Sequence, residues 1–166
     1  LVPDRNGDGY SDLLVANGGY PAAGPLDPER PPNYIMVISA LDGEQLAKAM
    51  VPDEKETYMS PIVNDLDGDG ELDVLFGTGG ETISGSLWRA TLTEVMNNDL
   101  SGAIEVMNGG TKGFLGPPSL ADFNMDGYTD MVVHSYDGRI AAFDGVTNEE
   151  LWMYEFLGTE SYATPA

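Results

Sequence analysis

Cysteine is absent from the 166-residue sequence, and basic residues are scarce. Without cysteine the chain has no disulfide framework, no thiolate metal site and no cysteine nucleophile. Lysine and arginine number 7 against 28 aspartates and glutamates, which gives a formal charge of −21. This imbalance argues against nucleic acid and against an anionic membrane surface as partners, since both need basic residues. No apolar run approaches the ~18 residues of a membrane-spanning helix, so we expect no membrane insertion.

The residues that are abundant predict an all-β fold. Hydrophobic residues make up 42% of the chain, which is enough for a packed core. The 21 glycines and 11 prolines are typical of many short strands joined by turns. The sequence does not begin with methionine, and its first residues already belong to a repeated motif. We therefore expect it to be a portion of a longer chain.

Three acidic segments align without gaps and organise the chain. They occupy residues 4–12, 65–73 and 122–130, and an apolar triplet follows each of them at residues 13–15, 74–76 and 131–133. A turn signal comes after each triplet, at residues 18–19, 79–80 and 137–138. Such self-similarity at a fixed period indicates a repeat architecture.

Further strands complete each predicted repeat. Residues 35–43, 103–109 and 140–145 each predict a strand that runs into an Asp-Gly or Asn-Gly turn. Two segments interrupt the pattern. Residues 20–32 predict an irregular, proline-rich loop, and within residues 81–101 the stretch 92–98 predicts one or two helical turns. Four short strands per period of roughly 40–60 residues indicate a blade of a β-propeller. We predict about three blades, at residues 1–58, 59–115 and 116–162, with a further blade starting at 163–166, in a propeller of about seven or eight blades.

The acidic loops have the residue types and spacing of a calcium site. Asp or Asn occupies the first, third, fifth and ninth positions, and glycine at the sixth permits the positive φ that turns the chain around an ion. Many hard oxygen ligands favour Ca²⁺, which takes about 6–8 of them, over Mg²⁺. The backbone carbonyl of the seventh position is the expected further ligand. The predicted ligand residues of the three sites are Asp4, Asn6, Asp8, Tyr10 and Asp12; Asp65, Asp67, Asp69, Glu71 and Asp73; and Asp122, Asn124, Asp126, Tyr128 and Asp130.

Two other interpretations of these loops are weaker. An EF-hand requires glutamate at the twelfth position, where this chain has Val15, Phe76 and Val133, and its flanks are helical rather than extended. A single Asp-Gly-rich loop could equally be a solvated turn. Three copies in register with matched flanks favour the metal site instead.

These loops, with the apolar strands that follow them, resemble the FG-GAP (VCBS-type) repeats of integrin α-chain propellers and many bacterial surface proteins. The resemblance implies a β-propeller in which each loop binds Ca²⁺ through side chains at the first, third, fifth and ninth positions and the carbonyl at the seventh. The Phe-Gly and Gly-Ala-Pro elements of the family are poorly kept, with Phe76-Gly77 and Gly116-Pro117 as their remnants. Residues 143–152 are also similar to the blade ending of quinoprotein-like propellers.

No catalytic constellation is predicted from the remaining residues. His134 is the single histidine, and we interpret it as packed or solvated. The carboxylate pairs at residues 53–54 and 149–150 are more simply solvated surface in a chain this acidic. Trp88 and Trp152 could form a sugar platform, but blade core or contacts between blades is the simpler interpretation.

Three functions remain open at this point. The favoured one is a non-enzymatic calcium-binding module for adhesion, protein interaction or assembly, located outside the cytoplasm at the cell surface, in the extracellular space or in the periplasm. Its partners would be other blades of the same chain or partner protein chains, and a protein or glycan ligand is a further option. The alternatives are a propeller-scaffold enzyme, such as a polysaccharide lyase or quinoprotein dehydrogenase with its active site outside this segment, and a spacer in a larger extracellular assembly. Fold alone does not choose between them.

Overall fold

The computed structural model describes residues 1–24, 26–27, 30–156 and 158–166, and within them the chain forms three antiparallel sheets. The first sheet has the order β1-β2-β3. Its strands are β1 (Leu13–Ala16), β2 (Tyr34–Ile38) and β3 (Gln45–Met50). An isolated antiparallel bridge between Val2 and Asp12 adds a position beside β1, where the other two sheets have a fourth strand. The connection from β1 to β2 has no strand or helix among its described residues, as predicted for 20–32, of which Pro25, Pro28 and Glu29 lie outside the described residues.

The second sheet has the order β4-β5-β6-β7. Its strands are β4 (Ile62–Asn64), β5 (Asp73–Gly77), β6 (Ser86–Thr91) and β7 (Ile104–Asn108), and the helix α1 (Leu92–Met96) follows β6 directly. The helix starts where Thr91 and Glu94 form a capping box, in which each side chain accepts a hydrogen bond from the other residue's backbone N–H. It confirms the helical turns predicted within 92–98.

The strand assignment of this second sheet was wrong in one respect. The predicted interruption at 81–101 contains β6, which is the third strand of the sheet, and residues 103–109 form the fourth strand rather than the third. The reason is the capping box, because it starts a helix at the place where the first and third sheets make a tight Asp-Gly turn. Strand β6 is therefore not followed by an Asp-Gly turn, which in the sequence marks the end of the equivalent strands β2 and β10.

The third sheet has the order β8-β9-β10-β11 and follows the same up-and-down path. Its strands are β8 (Ser119–Ala121), β9 (Asp130–His134), β10 (Arg139–Phe143) and β11 (Glu150–Glu155). The second and third acidic loops join the first two strands of their sheets, and the first acidic loop runs from the Val2 bridge into β1. All three loops thus begin and end on paired backbone, which fixes their ends.

The three sheets share one hydrophobic core. Its largest fully buried side chains include Phe76 of β5, Phe114, Ile35 of β2 and Leu92 of α1. Helix α1 packs against β2 and β3 of the first sheet, so the second sheet covers the outer strand of the first. The all-β prediction is confirmed. The described residues do not close into a ring, and the number of blades stays a prediction.

Candidate metal centre

The three acidic loops share one hydrogen-bond scaffold. In each, the aspartate at the first position accepts a hydrogen bond from the backbone N–H of the sixth-position glycine, at N···O distances of 2.8, 3.1 and 3.0 Å for Gly9, Gly70 and Gly127. These glycines have φ of 89°, 89° and 94°, a region that favours glycine. The fifth-position aspartate accepts from the N–H of the seventh residue at 2.8, 2.7 and 2.9 Å. Each loop is therefore closed by its own predicted ligands.

The seventh position uses its side chain elsewhere. Tyr10 and Tyr128 are 59% and 44% exposed. The Glu71 side chain accepts hydrogen bonds from the backbone N–H and the hydroxyl of Thr93 at the start of α1, at 3.1 and 2.6 Å. These side chains are therefore not needed for the predicted role of the seventh position, whose backbone carbonyl stays a predicted ligand.

The third position divides the loops into two types. In the second loop, Asp65, Asp67 and Asp69 each offer a carboxylate oxygen, and these oxygens lie within 4.8 Å of one another. In the first and third loops this position is Asn6 or Asn124, whose Oδ1 accepts from the N–H two residues later and whose amide donates to the fifth-position aspartate. At the four positions whose side chains are predicted ligands, the second loop therefore carries one more negative charge than either of the others.

The ninth-position aspartates are buried and hold their loops against the sheets. Asp12, Asp73 and Asp130 are 0%, 5% and 0% exposed. One oxygen of each accepts a hydrogen bond from the backbone N–H of the second loop residue, at 2.7, 3.0 and 2.8 Å. The surroundings of the second oxygen differ from copy to copy, and this difference separates the three loops chemically.

In the first loop, Oδ1 of Asp12 is buried and has no hydrogen-bond partner. In the third loop, the corresponding Oδ1 of Asp130 accepts from the backbone N–H of Gly145 at 3.1 Å. Leaving a buried acceptor unpaired costs about 1–3 kcal/mol, and more for a charged group. A calcium ion, which binds hard carboxylate oxygens, would supply the missing partner of Asp12 Oδ1.

The backbone N–H groups also act on the charge of the first-position aspartate. The N–H groups of Gly9 and Gly7 point at the Asp4 carboxylate, and they hold its pKa below the usual value. Hydrogen bonds to the charged form of a carboxyl group favour that form. Asp4 is therefore kept ionised, as a metal ligand must be.

Arg89 was missed at the sequence level and contacts two aspartates of the second loop. It lies on β6. The strand registers show that the equivalent residue is Val37 in the first sheet and Ala142 in the third. Its Nε and Nη2 donate to the two oxygens of Asp73 at 2.7 and 2.9 Å, and Nη2 also donates to Asp67 Oδ2 at 2.7 Å. Burial acts to lower the pKa of Arg89, but the hydrogen bonds and charges of the two aspartates outweigh it and raise that pKa. The one available signal was a rare basic residue inside an apolar strand.

A cleft of about 330 Å³ opens beside the second loop. Its lining includes Asp67, Asp69, Asp73 and Arg89 on one side, and Val146 of the third sheet on the other. Four of the five predicted ligand residues of this loop, Asp67, Asp69, Glu71 and Asp73, therefore line an open cleft.

The residues considered for catalysis do not come together among the described residues. His134 is partly buried, which lowers its pKa, and its Nδ1 has no hydrogen-bond partner. Ser135 donates instead to the carboxylate of Asp137, so it forms no pair with His134. Asp53 accepts from the Thr78 hydroxyl at 2.7 Å, which is a structural contact between the first two sheets.

No helix within the described part of the chain is long and apolar enough to span a membrane.

Comparison with known proteins supports the repeat assignment. A search of curated proteins and a search of solved structures gave no match. The model of the FG-GAP-like repeat matches residues 4–76 and again residues 65–133. Both matches begin at the first residue of an acidic loop and end in or beside the strand that follows the next loop, at β5 and β9. The chain therefore belongs to the family of FG-GAP-like repeat proteins, which confirms the resemblance found in its sequence.

Proposed function

We propose that this chain is a calcium-binding segment of a β-propeller that serves as a non-enzymatic module for protein interaction, adhesion or assembly. Calcium is structural in this proposal, with one ion in each acidic loop. The observation that carries it is the buried Oδ1 of Asp12, which lacks a partner inside a loop of otherwise satisfied oxygen donors. The predicted ligands of the first loop are the side chains of Asp4, Asn6, Asp8 and Asp12 and the carbonyl of Tyr10.

The proposed location follows from the expected strength of such sites. Loops that bind calcium as structural braces in extracellular modules have dissociation constants of about 10⁻⁴–10⁻³ M. Such sites fill where calcium is near millimolar and stay empty at cytosolic concentrations. We therefore place the module at the cell surface, in the extracellular space or in the periplasm.

Calorimetric titration of the intact protein with CaCl₂, with MgCl₂ as the comparison, tests the metal proposal. We expect about three calcium ions per segment 1–166, much weaker magnesium binding and a higher melting temperature with calcium than with a chelator. The control is Asp53→Ala, which removes a carboxylate outside the loops and should leave the calcium stoichiometry unchanged. No calcium heat, together with an unchanged melting temperature, would exclude these sites.

We place the partner surface on β11. Its side chains Leu151, Trp152, Met153 and Tyr154 are 37–63% exposed, on both faces of the strand. Four exposed apolar side chains in succession on one outer strand favour an interaction site there. The occupant that we propose is a further blade of the same repeat, because β3, the outer strand of the first sheet, has its alanines Ala47 and Ala49 buried and is covered by α1 of the next sheet.

Size-exclusion chromatography and hydrogen exchange on residues 1–166 alone test this surface. We expect self-association, and we expect that Trp152→Glu reduces it while an exposed control, Glu150→Gln, does not. A monodisperse wild-type monomer with well-protected β11 amides would show that this face needs no partner.

A further inference from the structure

The five N–H donors of Arg89 are all engaged. Besides its three bonds to Asp67 and Asp73, its Nη1 donates to the Gly145 carbonyl at 2.6 Å and to Oδ1 of Asn148 at 3.2 Å. An arginine guanidinium has five N–H donors in a fixed planar arrangement. The side chain is 7% exposed and is held from both the second and the third sheets. It cannot swing away from the second loop without leaving several buried acceptors unpaired.

The charge of Arg89 matches the extra charge of the second loop. Only this loop has an aspartate, Asp67, at the third position, and that aspartate accepts a hydrogen bond from the guanidinium. The first and third loops have asparagine there, and at the register position of Arg89 their sheets have Val37 and Ala142. The additional acid and the additional base therefore occur together in one loop and are absent together from the other two.

The same contacts place Arg89 in competition with a metal ion. Both oxygens of Asp73 accept hydrogen bonds from the guanidinium, and Asp67 accepts through Oδ2, so two predicted ligands of the second loop are already paired with a cation. The corresponding aspartate of the first loop, Asp12, has no charged partner. A fixed positive charge beside a cation site opposes binding of a second cation. The guanidinium also holds the loop in shape without metal, since it compensates buried charge that would otherwise be costly.

We propose that Arg89 is an internal counter-cation that makes the second loop the weakest calcium site of the three and the least dependent on calcium for its structure. This inference rests on the proposed function, because it assumes that the first and third loops bind calcium. Arg89 acts here as a positioning and affinity-determining residue, through Asp67 and Asp73, and contacts no part of the predicted carbonyl ligand at Glu71.

A calcium titration of the intact protein, monitored through its amide NMR signals, measures calcium binding to each loop separately. The glycines at the sixth position, Gly9, Gly70 and Gly127, report the first, second and third loops separately. We expect the Gly70 amide to shift at a higher calcium concentration than the other two. Arg89→Gln should lower the midpoint at Gly70 at least about tenfold and leave Gly9 unchanged. In the chelator this variant should melt at a lower temperature than the wild type, and calcium should restore more of the loss.

Arg139→Gln is the matched control. Arg139 also bridges the second and third sheets, through the Asn108 carbonyl at 3.0 Å and Asp137, but it touches no acidic loop. It should lower the melting temperature equally with and without calcium. A Gly70 midpoint that is unchanged or higher in Arg89→Gln overturns the inference. If that variant does not fold even in calcium, Asp67→Asn replaces it: the midpoint at Gly70 should rise, because Arg89 is then unbalanced, and an unchanged midpoint overturns the inference. If none of the three glycines responds to calcium, the proposed function itself fails.

Discussion

Asp12→Asn should have opposite consequences with and without calcium. The Asp12 side chain is fully buried, its Oδ2 accepts from the Arg5 N–H at 2.7 Å, and its Oδ1 has no partner. Asparagine keeps the shape and retains an oxygen for the Arg5 N–H, but it removes the negative charge. In the metal-free protein the substitution thus removes a buried charge that only a cation would compensate.

The size of the effect follows from two estimates. In the variant an unpaired amide NH2 group, which costs about 1–3 kcal/mol, replaces an unpaired charged oxygen, which costs more. The metal-free variant should therefore be as stable as the wild type or slightly more. Calcium at 100-fold excess over the dissociation constant adds about 2.7 kcal/mol for one site, which the variant should largely forgo. For a domain of this size 1 kcal/mol corresponds to about 2–4 °C, so the variant should melt about 5–11 °C below the wild type in calcium.

Thermal unfolding of the intact protein by circular dichroism, in a chelator and in excess calcium, measures this change of sign. The control is Asp130→Asn, because Oδ1 of Asp130 already accepts from the Gly145 N–H at 3.1 Å. It should lose about 0.5–1.5 kcal/mol in the chelator, where Asp12→Asn loses nothing. If Asp12→Asn changes the melting temperature by the same amount in both conditions, the unpaired oxygen does not face an ion and the reasoning is wrong.

Two further outcomes are expected. Asp69→Ala should lower calcium affinity in the second loop. Glu71→Ala should lower the melting temperature equally with calcium and with chelator, because its side chain accepts hydrogen bonds from Thr93 and only its carbonyl is a predicted ligand. Isothermal titration and melting curves separate the two effects, and an affinity loss for Glu71→Ala as large as that for Asp69→Ala would contradict the assigned register. The pKa of buried Glu56 is lowered: burial acts to raise it, but the hydrogen bonds from Arg30 and the Tyr20 N–H prevail. A lowered carboxyl pKa stabilises the folded protein above the unfolded pKa of about 4.3, and this stability is lost as the pH falls through the folded pKa. Glu56→Gln should therefore lose less stability than the wild type below pH ~4, as measured by denaturant unfolding across pH. An acid profile identical to that of the wild type would contradict this prediction.

The sequence sufficed for the features that depend on local spacing. The three loops could be predicted because alternate aspartates, a glycine that needs positive φ and a following apolar strand are all contained within about a dozen residues. The all-β class and the helical turns after Thr91 could be predicted for the same reason, since turn signals and helix caps are short-range. The order of strands in the second sheet could not, because α1 replaced the turn that marked the third strand in the other sheets.

The contacts that distinguish the loops from one another arise only when distant segments meet. Gly145 donates to Asp130 across 15 residues, and Arg89 reaches Asp73 across 16 residues and the Gly145 carbonyl across 56. No local pattern marks such partners, because each ninth-position aspartate is the same residue in the same motif. Strand pairing and sheet packing bring a guanidinium to Asp73 and the Gly145 N–H to Asp130, and they leave Oδ1 of Asp12 without a partner. Local spacing thus defines three loops that differ in charge only at the third position, and the packing of the sheets around them makes their ninth-position aspartates chemically unequal.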